Sequence, residues 1–168
     1  MERKFYQTLK EWKDNQIEIP LMIIGARQIG KTYLINQFCK ENFKEYVYIN
    51  LDLEEKIKMV FEQTLQPEEI IKNIELYKDI KINVEDTILF FDEIQVSERA
   101  ITSLKYFCEH ALPYKIICAG SLLGVKLNRF RSSFPVGKVL IRNMYPMDFE
   151  EFLLALKKDM WVEAIKES

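Results

Sequence analysis

Apolar positions change their period several times along the chain, and each change marks an element. Phe5, Leu9 and Trp12 fall at i, i+4 and i+7, which predicts an amphipathic helix over residues 3–13, closed by Asp14-Asn15, with Trp12 in the core. Leu21-Met22-Ile23-Ile24 is a short unbroken apolar run, the pattern of a strand buried on both faces. Beyond Gly30 the period turns helical, with Leu34, Ile35 and Phe38 on one side up to about residue 42. Residues 45–51 are rich in aromatic and β-branched types and predict a second strand. Two helices are expected after it, the second opened by Pro67 with Glu68 and Glu69 in its first turn.

Thr87-Ile88-Leu89-Phe90-Phe91 is the most apolar strand candidate and runs directly into Asp92-Glu93. Ser97 is placed to cap a helix through about His110, itself expected to be structural. Lys115 to Ala119 predicts a further buried strand ending at Gly120-Ser121, followed by a short helix near 122–130. Val136 to Asn143 reads as a last strand. Pro146 then opens a helix through about Lys157, with Phe149, Phe152, Leu153 and Leu156 as its apolar face. Strands alternating with helices predict an α/β fold on a parallel sheet.

Composition narrows the picture without changing it. With 168 residues, 48% of them hydrophobic, the chain has the size and core of one domain, 1–168. Lys and Arg total 24 against 26 acidic residues, so no global field favours nucleic acid or an anionic membrane. Cys39, Cys108 and Cys118 lack the spacing of a disulfide framework or zinc site, and reduced, buried thiols of a cytoplasmic protein are expected. No run of about 18 apolar residues marks a membrane helix.

The chemistry is concentrated at two strand ends. Gly25-Ala26-Arg27-Gln28-Ile29-Gly30-Lys31-Thr32 matches the Walker A pattern at every fixed position, between an apolar strand and an amphipathic helix. Gly25 and Gly30 are expected to permit backbone conformations that let successive N–H groups and the helix N-terminus face a phosphate. Lys31 would reach the β- and γ-phosphates of ATP and Thr32 would ligate Mg²⁺, with Tyr33 completing the binding segment. Phe90-Phe91-Asp92-Glu93 has the form of a Walker B strand. Asp92 is then the second magnesium residue and Glu93 the group that polarises a water. Ser121 ends the next apolar strand and is the candidate for sensing the γ-phosphate, with a plain Gly-Ser turn as the alternative. Gln95 has no assigned role. Arg99, Arg129, Arg131 and Arg142 are candidates for an arginine finger, with Arg129 and Arg131 best placed and a solvated basic face equally able to explain them.

These motifs, together with Phe91-Asp92-Glu93-Ile94-Gln95, Ala119-Gly120-Ser121, Pro135-Val136-Gly137-Lys138 and Tyr145-Pro146-Met147-Asp148-Phe149-Glu150-Glu151-Phe152, resemble the predicted AAA-superfamily ATPases of bacteria and archaea. The resemblance spans nearly the whole chain. It implies a P-loop NTPase fold with a five-stranded parallel sheet in which the Walker A and Walker B strands are adjacent, although another strand separates them in sequence. Relatives continue into a C-terminal domain, so residues 146–168 are expected to begin a connection to a missing region. Many relatives carry arginine beside the glycine where this chain has Gly137-Lys138, so a finger is not expected there.

The leading expectation is Mg-dependent ATP hydrolysis coupled to a conformational change in a larger protein, with a homo-oligomer among the expected assemblies. A nucleotide-dependent switch or scaffold with little turnover is the alternative. A metabolite kinase would need to activate a bound hydroxyl, for which Glu93 has less use, and a nucleic-acid motor lacks its basic stripe.

Overall fold

The computed structural model describes residues 3–121 and 134–167. Helix α1 (Phe5–Asp14) leads into β1 (Leu21–Ile24), α2 (Lys31–Asn42) and β2 (Glu45–Asn50). Helices α3 (Glu55–Gln63) and α4 (Pro67–Lys78) precede β3 (Thr87–Asp92), and a 3₁₀ turn (Ile94–Val96) joins β3 to α5 (Glu98–Glu109). Then come β4 (Lys115–Gly120), β5 (Leu140–Asn143), α6 (Phe149–Ala155) and α7 (Asp159–Glu167). The helix expected near 122–130 lies outside the described residues, as do Arg129 and Arg131.

The strands form one five-stranded sheet in the order β2-β3-β4-β1-β5, and every neighbouring pair is parallel. This corrects the expected adjacency of the Walker A strand β1 and the Walker B strand β3, because β4 lies between them. Burial separates the centre of the sheet from its edges. Strands β1, β3 and β4 are apolar on both faces, so they occupy the centre, while β2 and β5 carry exposed positions and form the edges.

Alternation along the strands divides the core in two. Met22, Ile49, Leu89, Phe91 and Ile116 point to one face, where Ile57 and Phe61 of α3, Ile70 and Ile74 of α4, and Leu104 of α5 cover them. Leu21, Ile23, Ile88, Phe90 and Ile117 point to the other, under Leu9 and Trp12 of α1 and Leu34 and Phe38 of α2. Phe61 meets Phe91 edge to face with ring centroids 5.5 Å apart. Trp12 is buried as expected, and its indole N–H donates to the Ile19 carbonyl at 3.0 Å. His110 ends α5 and lies 2.7 Å from a Glu68 carboxylate oxygen on α4, a contact that holds the Glu68 carboxyl below its ordinary range. Cys39 and Cys118 are buried free thiols, whereas Cys108 is only half-buried, a correction to the expectation for all three.

The carboxyl-terminal third departs most from expectation. The last strand begins at Leu140 rather than Val136, because Gly137 at φ 74° turns the chain and the Lys138 N–H closes on the Pro135 carbonyl at 3.0 Å. The following helix begins at Phe149, not Pro146. Asp148 caps it by accepting from the Glu151 N–H at 2.8 Å, while Glu151 returns a carboxylate to the Asp148 N–H at 3.0 Å. That helix stops at Ala155, and α7 follows it. Of its supposed apolar face only Leu153 is buried, while Phe149, Phe152 and Leu156 stand in solvent.

Ser97 caps α5 as the sequence predicts, accepting from the Ala100 N–H at 3.1 Å and donating to a Glu62 carboxylate at 3.0 Å. Replacing it with alanine is expected to destabilise the fold by about 1 kcal/mol, seen as a lower urea midpoint with an unchanged slope. An unchanged midpoint would refute the cap's contribution.

Candidate functional site

The parallel sheet turns the carboxyl ends of β1, β3 and β4 to one edge, where helices begin and loops converge. At that edge Ile24 of β1 pairs with Gly120 of β4, and the Gly25 N–H reaches the Gly120 carbonyl at 3.4 Å. Residues 25–30 form the loop from β1 into α2. Gly30 occupies the left-handed region at φ 89°, which glycine adopts without steric cost. Gly25 has a different reason for being glycine than the expected one. A Cβ there would lie 2.5 Å from the Met144 carbonyl oxygen and 2.7 Å from Ile29 Cδ1, so close approach, not dihedral freedom, excludes a side chain. The second left-handed position in the loop is Gln28, at φ 62°, where a non-glycine residue is strained.

Lys31 opens α2 and is buried, its ammonium donating to the Gly25 carbonyl at 2.9 Å and also to that of Ala26. Burial pushes its pKa below the ordinary value, against the raising effect of the nearby Glu93 and Asp92 charges. A group so placed gains from an anion that enters the loop. Tyr33, also expected to complete the binding segment, is largely exposed on α2.

The Thr32 hydroxyl donates to Asp92 Oδ2 at 2.7 Å, joining two residues 60 apart in sequence. Asp92 is 3% exposed. The same oxygen accepts the Tyr48 hydroxyl at 2.9 Å from the edge strand β2, while Asp92 Oδ1 accepts the Glu93 N–H at 2.9 Å. Burial, with the Asp92 charge second, pushes the Tyr48 phenol up to about 12, so it remains a donor at neutral pH. Glu93 takes a left-handed φ of 53° at the head of the 3₁₀ turn. Its carboxylate accepts from the Gln95 side-chain amide. That amide also donates to the Ser121 hydroxyl at 3.3 Å, and the Arg27 guanidinium approaches the same hydroxyl at 3.5 Å. Ser121 is fully buried beside these groups.

The structure therefore gathers Lys31, Thr32, Asp92, Glu93, Ser121 and Arg27 around one end of the sheet. Of the expected arginine fingers, Arg99 is bonded to the Phe61 carbonyl at 2.9 Å and Arg142 to that of Ile141 at the same distance. Sequence reasoning left Gln95 without a role and passed over Tyr48. The available signal for Tyr48 was the alternation Tyr46, Tyr48, Asn50 on β2, which puts polar tips on one side of an edge strand. A cleft of about 630 Å³ adjoins the loop, lined by Gln28, Ile29, Gly30, Pro146, Met147, Phe149 and Phe152 among others. A larger one, about 710 Å³, lies at the amino ends of the strands, away from these side chains.

The donor set fits a magnesium nucleotide. A left-handed glycine turn leads into a helix N-terminus, a buried ammonium donates to loop carbonyls, and hydroxyl and carboxylate oxygens converge as a hard cation requires. Fold and site together define the P-loop NTPases. The chain belongs to the AAA domain family, which matches residues 18–153. Among solved structures it is similar to the Pif1 helicase from Candida albicans, at 16% identity and a TM-score of 0.53, covering 90% of this chain and 41% of that one. It is also similar to the Orc1 protein of Aeropyrum pernix, solved in complex with DNA, at 14% identity and a TM-score of 0.53 over 96% of this chain and 48% of that one. The chain thus spans less than half the length of either, and at these identities the likeness is one of fold. No curated protein matches it.

Placing alanine at Gly25 should overpack the contact with Met144 and cost about 2 kcal/mol. A thermal melt of Gly25→Ala would show the loss; a melt equal to that of the parent would refute the close approach.

Proposed function

We propose that this domain binds ATP with Mg²⁺ at Gly25–Thr32 and hydrolyses it. The observation that carries this reading is the Thr32 to Asp92 hydrogen bond at 2.7 Å, which joins the Walker A hydroxyl to the Walker B carboxylate across the intervening β4. The loop amides and Lys31 would hold the phosphates, the ammonium exchanging the Gly25 and Ala26 carbonyls for phosphate oxygens. Thr32 and Asp92 would hold Mg²⁺, directly or through water, with Tyr48 fixing the Asp92 carboxylate in place. The bound cation would supply charge neutralisation at the phosphates. Glu93 would orient and polarise the attacking water, and Ser121 with Gln95 would stand beside the γ-phosphate. The half-exposed aromatic cleft by Ile29, Phe149 and Phe152 has the chemistry to take the nucleoside. We place the output in α6 and α7, whose exposed apolar side chains would pass a conformational change to the rest of a larger protein.

Lys31→Ala is expected to abolish nucleotide binding in a fluorescent-nucleotide titration. Glu93→Gln should retain binding and lose at least about a hundredfold in turnover. Tight binding with turnover indifferent to Glu93→Gln would rule out hydrolysis at this carboxylate.

A switch with little turnover is favoured by one specific contact. The Gln95 amide engages the Glu93 carboxylate, which restrains the group needed to activate water. On this second reading Gln95→Ala raises basal turnover several-fold in a phosphate-release assay. A fall instead would make Gln95 a partner that positions Glu93 for hydrolysis.

A further inference from the structure

Arg3 is a charged side chain only 6% exposed, and its guanidinium joins three separate parts of the chain. Nη1 donates to the Ile29 carbonyl of the phosphate loop at 2.9 Å, Nη2 to the Tyr145 carbonyl beyond β5 at 2.8 Å, and Nε to Glu151 Oε1 on α6 at 3.2 Å. Glu151 is 5% exposed and fully engaged. Its Oε1 also accepts the Lys4 N–H at 2.7 Å, and its Oε2 accepts the Asp148 N–H that opens α6 at 3.0 Å. A buried pair of this kind fixes geometry strongly, because either charge alone would be left desolvated and unpaired.

The contact with Ile29 bears directly on the loop. The Ile29–Gly30 peptide is trans, so its C=O and N–H point in opposite directions. Holding the Ile29 oxygen on the Arg3 side therefore fixes the direction in which the Gly30 N–H faces. That N–H belongs to the last residue before α2, where a phosphate would be received. Arg3 also packs on the glycine itself, since a Cβ built on Gly30 would lie 3.6 Å from Nη1.

We infer that Arg3, held by Glu151, is a positioning residue for the phosphate loop, and that this pair couples nucleotide occupancy to the seating of α6. The inference rests on the nucleotide reading of the loop given above. Arg3 lines the cleft beside the loop, and its three bonds are all to protein: through them it fixes a loop peptide, while Glu151 fixes Arg3 and the start of α6 together. Nucleotide that orders the loop therefore tightens α6, and loosening α6 weakens nucleotide binding by the same factor, as linkage requires.

The test is amide hydrogen exchange on the 168-residue chain, free and with saturating Mg²⁺ and a non-hydrolysable ATP analogue, for the parent, Arg3→Lys and Glu151→Gln, together with affinity for that analogue by calorimetry. Glu151→Gln keeps the shape of the side chain and an acceptor oxygen, and its distance from the loop makes it the decisive variant if Arg3→Lys fails to fold. Both variants are expected to speed exchange at residues 28–31 and in α6, and each to weaken binding of the analogue about tenfold. The double variant should be no worse than the poorer single one, because the two changes break one connection. The analogue should slow exchange in α6 of the parent, and Glu151→Gln should remove that protection. If Glu151→Gln loosens α6 alone and leaves the loop and the affinity for the analogue at parental values, its role is local and the coupling is refuted. A parent that binds no nucleotide would overturn the function proposed above and the nucleotide coupling with it. Exchange at residues 28–31 in the nucleotide-free variants would still decide whether Arg3 and Glu151 position the loop.

Discussion

Three strands without a polar face impose the plan of this molecule. Strands β1, β3 and β4 can be buried only if helices cover both sides of the sheet, and short parallel strands so covered must be joined by crossovers. Every crossover leaves from a carboxyl end, so the loops after β1, β3 and β4 meet at one edge. Gly25, Asp92 and Ser121 each stand at or just beyond the end of such a strand. The site is thus a consequence of how the core is buried, and β4 between β1 and β3 is what brings Ser121 up to Arg27 and Gln95.

At that edge, polar groups are buried but matched. Asp92 accepts hydroxyls from Thr32 and Tyr48 and the N–H of Glu93, so its charge is held by donors from three elements. Lys31 is the counterpart. It is desolvated and bonded to backbone carbonyls, which satisfy its N–H groups without neutralising its charge. Two of the five non-glycine residues at positive φ among the described residues stand there too, Gln28 and Glu93, in left-handed conformations that their side chains disfavour. A buried cation and strained loop residues around one cradle mark where ligand binding would recover free energy spent in folding.

The same loop is also held at Ile29, by Arg3. Arg3 and Glu151 connect residues 148 apart, so the first turns of the chain and α6 are joined at the phosphate loop. Beyond them Phe149 and Phe152 of α6, Leu156 after it, and Met160 and Trp161 of α7 stand in solvent, and Phe149 and Phe152 line the cleft beside the loop together with Arg3.

Local pattern determined a great deal. Apolar runs, the first-turn Pro67, the Ser97 cap and the Walker A spacing act within a few residues, and such interactions are written in the order of the chain. The α/β class and the positions of Lys31, Thr32, Asp92 and Glu93 were legible for that reason. Strand order was not, because the residues that pair across the sheet, such as Ile24 with Gly120, are far apart in sequence and leave no local pattern. Pro146 and Val136 misled because a proline at a helix start and a valine in a strand are only propensities, overruled by the Asp148 and Glu151 capping box and by the turn at Gly137. The apolar period at Phe149, Phe152 and Leu156 marked a helix face correctly and its burial wrongly, since period alone does not say whether a face finds a partner. Tyr48, Gln95 and Arg3 act through contacts between residues far apart or on different elements. Only the tertiary fold could turn an ordinary tyrosine, glutamine and arginine into the groups that hold this site in place.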